Sequence, residues 1–215
     1  MIEEEPTHRA RAGGLWDEIG RLQFEFLIGQ GLKPHHQFLD VGCGPLRGGV
    51  HFVRFLDVGN YCGVDANQEM LAAGRAELAL ASVDDRSPDL RCDATFELGS
   101  FERLFDFGLA QSVFTHLPLN SIMRCLVAVS RVLVPGGRFY ATFFENPYGR
   151  LHLAPVLQPR TDGQPQQTYP DRDPYHYDAR VFAWACEGTD LEVTVLGDWA
   201  HPRNQKMLLF TKEDA

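Results

Sequence analysis

The spacing of apolar positions changes period along the chain and divides it into elements. Residues 15–30, LWDEIGRLQFEFLIGQ, place Leu15, Ile19, Leu22, Phe26 and Leu27 at three- and four-residue steps, which predicts an amphipathic helix ending near Gly29 and Gly31. QFLDVG and NYCGVD are short apolar runs, each closing on an aspartate, with the helically spaced VHFVRFLDVG between them. NQEMLAAGRAELALA is rich in strong helix formers, and Ser87-Pro88 marks a turn before a brief strand, DLRCD. A strand FDFGLAQSV, a helix SIMRCLVAVSRVL, a turn at Val134-Pro135-Gly136-Gly137 and a strand RFYATFF follow. Five strands alternating with helices predict an α/β fold, a doubly wound parallel sheet with helices on both faces.

The C-terminal pattern differs. YDARVFAWACEG reads as a helix, and LEVTVLGDW and KMLLFTK are joined only by a few residues around HPRNQ. A connection that short permits an antiparallel hairpin and no parallel crossover, so the last strand is expected to run antiparallel in an otherwise parallel sheet. Residues 146–176 are rich in Pro, Gln and Asp and have no periodicity, which predicts a long loop leaving the C-terminal end of the fifth strand. Open α/β sheets bind ligands at that edge. With no repeat and no linker, the expectation is a single domain over 1–215: a helical segment 1–36, a ligand-binding core 37–145, a lid 146–176, and a terminal helix and hairpin 177–215.

Composition narrows the function classes. At 215 residues, 44% of them hydrophobic, the chain is long enough to bury a self-sufficient core. Its formal net charge of -9 gives no general attraction to nucleic acid or to anionic membranes, and neither partner is expected. The five cysteines are scattered, without a CxxC pair or a zinc-type cluster, and read as free thiols in a reducing compartment. The N-terminal MIEEEPTHRARAGG lacks an apolar stretch, and no window approaches the ~20 apolar residues that span a bilayer, so a cytoplasmic protein is expected.

The chemistry concentrates in FLDVGCGPLRGG, residues 38–49: a strand, an aspartate near its end, then Gly42-x-Gly44 and Gly48 opening a helix. Glycines there let the backbone turn sharply and approach a ligand closely. Asp40 at the mouth of this loop would repel a pyrophosphate and attract an ammonium or sulfonium group, which disfavours a nicotinamide dehydrogenase. Asp65 ends the next strand, where a carboxylate accepts hydrogen bonds from ribose hydroxyls. A helix N-cap is the plainer role for Asp65 and for Asn67.

FLDVGCGPLRGG, NYCGVD, CDATF, FDFGLAQSVFTHLP, VLVPGGRFYATFF and the terminal hairpin resemble the ordered motifs of class I S-adenosylmethionine (SAM)-dependent methyltransferases. The resemblance implies a Rossmann-like, seven-stranded, mostly parallel sheet with an antiparallel C-terminal strand, SAM as cofactor and S-adenosylhomocysteine as its product. It implies that Asp40, Gly42 and Gly44 hold the methionyl end of SAM, Asp65 with Ala66 and Asn67 the ribose, and Asp93 with Ala94 the adenine, while Gln111 and Ser112 lie beneath the sulfonium. One departure stands out: Leu46 occupies the place of the usual third glycine, and Gly48 arrives two residues late.

Methyl transfer needs an acceptor in line behind the sulfonium, and an alcohol acceptor must also lose a proton. His116, just past the fourth strand, is the first candidate for a general base, and Glu145, ending the fifth, is the second. Tyr148, His152 and His176 in the lid and Arg203 in HPRNQ are the candidate acceptor-binding residues: the lid's mixture of tyrosines, carboxylates, histidines, Arg160 and Arg172 suits a polar, multi-hydroxyl molecule, whereas Arg203 offers instead a partner for an acidic group on the acceptor. GPLRGG, AQSVFTHLPLNSIMRCL and HPRNQKM further resemble a bacterial subgroup of small-molecule and sugar methyltransferases, which implies a mannoside or oligosaccharide acceptor. Methylation of a nitrogen or carboxylate, or SAM binding without turnover, are the alternatives, and the protein is expected to be a monomer or homodimer. Glu145, Asp171 and Asp173 leave a divalent metal open, but their spacing does not call for one.

Overall fold

The structure is a computed structural model and describes residues 7–11 and 13–214; residues 1–6 and 12 of the polar N-terminal segment lie outside the described residues. It contains two compact units, Met1–Thr95 and Phe96–Ala215.

The first unit runs α1 (Thr7–Arg11), α2 (Trp16–Gly29), β1 (Phe38–Val41), α3 (Gly49–Phe55), β2 (Tyr61–Asp65), α4 (Gln68–Leu80) and β3 (Asp89–Cys92). β2 lies between β1 and β3 and is parallel to both, with Asp40 opposite Gly63 and Asp65 opposite Cys92. β1 is buried at every position, as expected of a continuous apolar strand covered on both faces. The buried face of α2 is Ile19, Gly20, Gln23 and Leu27. It is turned from the stripe the sequence predicts, because Gly20 packs on the loop after β1: a Cβ there would lie 2.6 Å from the Arg47 carbonyl oxygen. On α4 the buried Glu77 accepts bonds from both guanidinium arms of Arg9, at 2.7 Å each, and pairs with His8 at 2.6 Å. These contacts tie α1 down.

The second unit comprises β4 (Phe105–Ala110), α5 (Leu119–Val132), β5 (Leu133–Glu145), β6 (Val156–Gln158), β7 (Gln166–Thr168), β8 (His176–Tyr177), α6 (Val181–Ala185), β9 (Leu191–Gly197) and β10 (Lys206–Lys212). The strand order is β4-β5-β10-β9, with β4 and β5 parallel and β10 antiparallel to both neighbours. The antiparallel last strand is therefore as the loop length predicts. A fully buried aromatic cluster of Phe114, Phe139, Phe143, Phe182 and Phe210 packs the interior.

Three predicted boundaries are corrected. The turn at 134–137 is a bulge within β5: pairing with β4 jumps from Phe105↔Leu133 to Phe107↔Arg138. Gly136 sits at φ 71°, and a Cβ on Gly137 would lie 2.7 Å from the Val134 carbonyl oxygen, so only glycine fits that crowding. The segment 146–176 is not structureless: β6 and β7 form an antiparallel pair, and β8 joins β5 in parallel. Its order comes from long-range polar contacts, among them Arg203 on Asp162, which the local Arg160 also holds. The helix expected from residue 177 shrinks to Val181–Ala185, because His176 and Tyr177 are recruited to the strand β8. Among the described residues no helix is long and apolar enough to cross a membrane.

Candidate functional site

In the first unit the loop after β1 folds back onto the end of β2. The Gly42 and Cys43 amides donate to the Val64 carbonyl at 2.7 and 3.1 Å, and the Gly44 amide donates to Asp65 Oδ2 at 2.8 Å. Gly42 and Gly44 have φ values of 68° and 53°, the left-handed region these turns need. Beside Gly44 the space is open: a Cβ there would meet nothing nearer than Asp65 Oδ2, at 4.0 Å. Leu46, in the place of the third glycine, takes φ 63° with its side chain fully buried. Gly49 and Gly74 make room for it, since Cβ atoms on them would lie 2.8 Å from Leu46 Cδ2 and Cγ respectively.

Asp40 is 4% exposed, and the Tyr61 hydroxyl donates to its Oδ2 at 2.6 Å. Burial raises its carboxyl to about 7; the Tyr61 bond opposes that rise and the Asp65 charge adds to it. A cation nearby would favour the ionised form. Asp65 is half-buried, and its Oδ1 accepts from the Asn67 amide at 2.8 Å, so each of its oxygens holds one backbone N–H and keeps lone-pair capacity for a ligand. Asn67 is the N-cap of α4, accepting from the Glu69 and Met70 amides at 2.9 and 3.3 Å, while Asp65 braces the loop. Ala66 and Asn67 are exposed. Asp93, after β3, accepts from the Thr95 amide and hydroxyl at 2.7 and 2.5 Å, beside an exposed Ala94. Two carboxylates flanking an open glycine cradle fit a cationic, ribose-bearing cofactor such as SAM.

In the second unit Gln111 and Ser112 follow β4 and join a network that sequence reading did not foresee. Gln205 Oε1 accepts from Gln111 Nε2, Ser112 Oγ and Thr142 Oγ1 at 3.1, 3.0 and 2.7 Å, and Gln111 Nε2 lies 3.2 Å from His201 Nε2. Gln111 is 9% exposed and its Oε1 has no partner. The sequence signal for Gln205 and His201 is the segment HPRNQKM, whose contacts with β4 and β5 leave no local pattern. His116 is exposed, and its Nδ1 lies 2.6 Å from Asp173 Oδ1. Asp173 is thus the missed partner of the candidate base. It lies 57 residues away, and the fold of the 146–176 segment brings it there.

A cavity of about 400 Å³ in this unit is lined by, among others, Asn146, Arg150, His152, Asp171, Tyr175 and His176. It brings together His152 and His176 of the predicted acceptor-binding residues. Tyr148, which is 70% exposed, rests on His152 with ring centroids 4.7 Å apart. Glu145 is half-buried, with its backbone carbonyl accepting from Gln158 Nε2. Arg203 binds Asp162 at 3.1 Å, a contact that braces the lid. Two backbone-directed bonds close the lid onto the segment after β4: the Tyr175 amide donates to the Thr115 carbonyl at 2.7 Å and the Tyr177 hydroxyl to the Leu117 carbonyl. Among the described residues no group of three or more His, Cys, Asp or Glu side chains is gathered as a metal site.

The parallel strands, the antiparallel β10 and the glycine loop braced by Asp65 define the Rossmann-like α/β fold of class I SAM-dependent methyltransferases. Residues 39–141, just under half of the chain, match the family model described as a methyltransferase domain, a domain that uses SAM. It is 33% identical over 112 residues to an uncharacterised methyltransferase of Schizosaccharomyces pombe, an overlap of 49% of this chain and 39% of the relative. It is 28% identical over 154 residues to a demethylmenaquinone methyltransferase of Symbiobacterium thermophilum, 67% of this chain and 55% of the relative. The chain thus spans about half or less of the length of these curated relatives. Among solved structures, the SAM-bound amino pentose methyltransferase of Micromonospora echinaspora, involved in calicheamicin biosynthesis, superposes with a TM-score of 0.68 at 15% identity, covering 99% of each chain.

Proposed function

We propose that this chain is a SAM-dependent methyltransferase that methylates a hydroxyl of a small, polar, carbohydrate-derived acceptor. The observation that carries the acceptor class is the cavity of about 400 Å³, whose wall combines imidazoles, tyrosines, the carboxylates of Asp171 and Asp178, and Arg150. Aromatic faces against which a ring can stack, next to convergent hydrogen-bonding groups, suit a polyol better than a lipid.

In this reading Asp40 faces the ammonium end of SAM across the Gly42–Gly44 turn. Asp65, with Ala66 and Asn67 beside it, takes the ribose hydroxyls, Asp93 and Ala94 border the adenine, and Gln111 and Ser112 support the methionyl chain. Bound SAM supplies an electrophilic methyl group on a sulfonium. His116 serves as the base: Asp173 accepts from Nδ1–H and leaves Nε2 to receive the hydroxyl proton. The imidazolium that results is stabilised by the same carboxylate. Glu145, at the end of β5, is the second candidate for that role.

The test begins with SAM binding by thermal shift, followed by S-adenosylhomocysteine release with neutral sugars, short oligosaccharides, sugar acids and phenols. Turnover on a neutral sugar supports the reading. A protein that fails to bind SAM, or that turns over only sugar acids or phenols, overturns it.

A further inference from the structure

His176 is 2% exposed and lines the cavity, yet its Nε2 has no hydrogen-bond partner. A buried, unpaired imidazole nitrogen costs free energy unless something else satisfies it. Its protonation follows from the far side of the ring. Nδ1 lies 2.9 Å from Thr168 Oγ1, and that hydroxyl spends its single proton on the Val156 carbonyl at 3.2 Å while also accepting from Gln158 Nε2. With its proton on Val156 the hydroxyl accepts from His176, and in that arrangement Nδ1 carries the hydrogen and Nε2 keeps a lone pair. Burial lowers the ring's basicity, a hydrogen bond to the Thr168 backbone opposes that and the neighbouring His152 adds to it, with the net shift downward. Thr168 is itself fully buried on β7, so the ring is set from behind.

We propose that His176 Nε2 is a selectivity element of the acceptor cavity, accepting a hydrogen bond from a neutral hydroxyl of the acceptor and disfavouring a carboxylate at that point. The inference rests on the reading of the chain as a methyltransferase of a hydroxylated acceptor. A neutral imidazole presenting a lone pair offers a carboxylate no proton, so that ion would go unpaired at this nitrogen whatever Arg150 holds elsewhere on the wall. An alcohol supplies the missing donor at no charge cost. His176 is a positioning residue here, and proton removal stays with His116.

Asparagine separates this role from a structural one. In His176→Asn the side-chain N–H stands where Nδ1–H stood and continues to meet Thr168, while nothing replaces Nε2. The SAM-loaded protein is titrated with methyl mannoside, methyl glucoside and myo-inositol, and with glucuronate as the charged counterpart, following the His176 ring nitrogens by NMR and binding by calorimetry. The expected result is that at least one neutral polyol shifts the Nε2 resonance, that glucuronate does not, and that His176→Asn binds that polyol about tenfold more weakly at near wild-type thermal stability. No Nε2 shift with any neutral polyol, binding of glucuronate as tight as the best of them, or unimpaired binding by His176→Asn overturns the proposal. A wild-type protein that turns over a neutral sugar without an Nε2 shift sinks this inference alone, whereas failure to bind SAM sinks the functional reading beneath it.

Discussion

Leu46 and Gly74 are complementary: the leucine stands at φ 63° in the cofactor loop, and a Cβ on Gly74 of α4 would lie 2.8 Å from its Cγ. A left-handed leucine costs about 1–2 kcal/mol. Its burial against two glycines offsets that cost. Gly74→Ala is therefore expected to destabilise the wild-type protein by about 1–3 kcal/mol, despite alanine's higher helix propensity. In a Leu46→Ala background the same change should be neutral or stabilising by up to about 1 kcal/mol. A urea-denaturation double-mutant cycle reads the coupling, and additive effects would show that the two residues do not share this space.

Asp40 gives a stability signature in pH. Its carboxyl is at about 7 in the folded protein against 3.8 for the free group, so the native state holds the proton more tightly than the unfolded chain. Wild-type stability contributed by this group is present below about pH 4, is lost as the pH rises through 7, and changes no further above that. Asp40→Asn keeps an acceptor for the Tyr61 hydroxyl and removes the titration. Its stability advantage over wild type should be small at pH 4 and grow to a few kcal/mol by pH 8, as measured by thermal melts across that range. A difference that stays flat would mean Asp40 is ionised in the fold throughout.

Asp65 braces two amides, those of Gly44 and Asn67. Asp65→Ala should weaken SAM binding at least about tenfold, or 1.4 kcal/mol, through loss of the ribose contact proposed for it and through a looser loop. Calorimetry decides this, and wild-type affinity would remove Asp65 from the cofactor site.

His116→Ala should lower turnover far more than SAM affinity, and Asp173→Asn should lower turnover by a smaller factor through loss of the charge that steadies the imidazolium. Steady-state kinetics alongside SAM calorimetry separate the two effects. If Asp173→Asn turns over like wild type, the pair at 2.6 Å is an incidental surface contact.

What the sequence revealed divides along physical lines. The strand-helix alternation of the first 145 residues was legible because each element buries its own apolar face, and the terminal hairpin because HPRNQ is too short for a crossover. The bulge at Val134–Gly137 was read as a turn, since the glycine conformations that make either are the same. The lid was illegible because its order comes from distant partners: Thr161 on Pro202, Asn204 on Gln158, Glu145 paired with Tyr177. In the site, Asp40, Gly42, Gly44 and Asp65 were visible as a motif. Tyr61 and Asp173, their counterparts in hydrogen bonding to Asp40 and His116, were not, because pairing across strands and across a closed lid leaves no local periodicity.

The parallel pairing of Glu145 with Tyr177 has a consequence for descent and engineering alike. Adjacent strands lie about 5 Å apart, so the excursion over residues 146–176 leaves β5 and returns to it at nearly the same spot. An insert whose ends meet can change length without shifting β5, provided its partners at Thr115 and residues 202–204 change with it. If the segment reads the acceptor as proposed, exchanging 146–176 together with those partners should move the preference while leaving SAM binding unchanged, a swap that turnover assays would check.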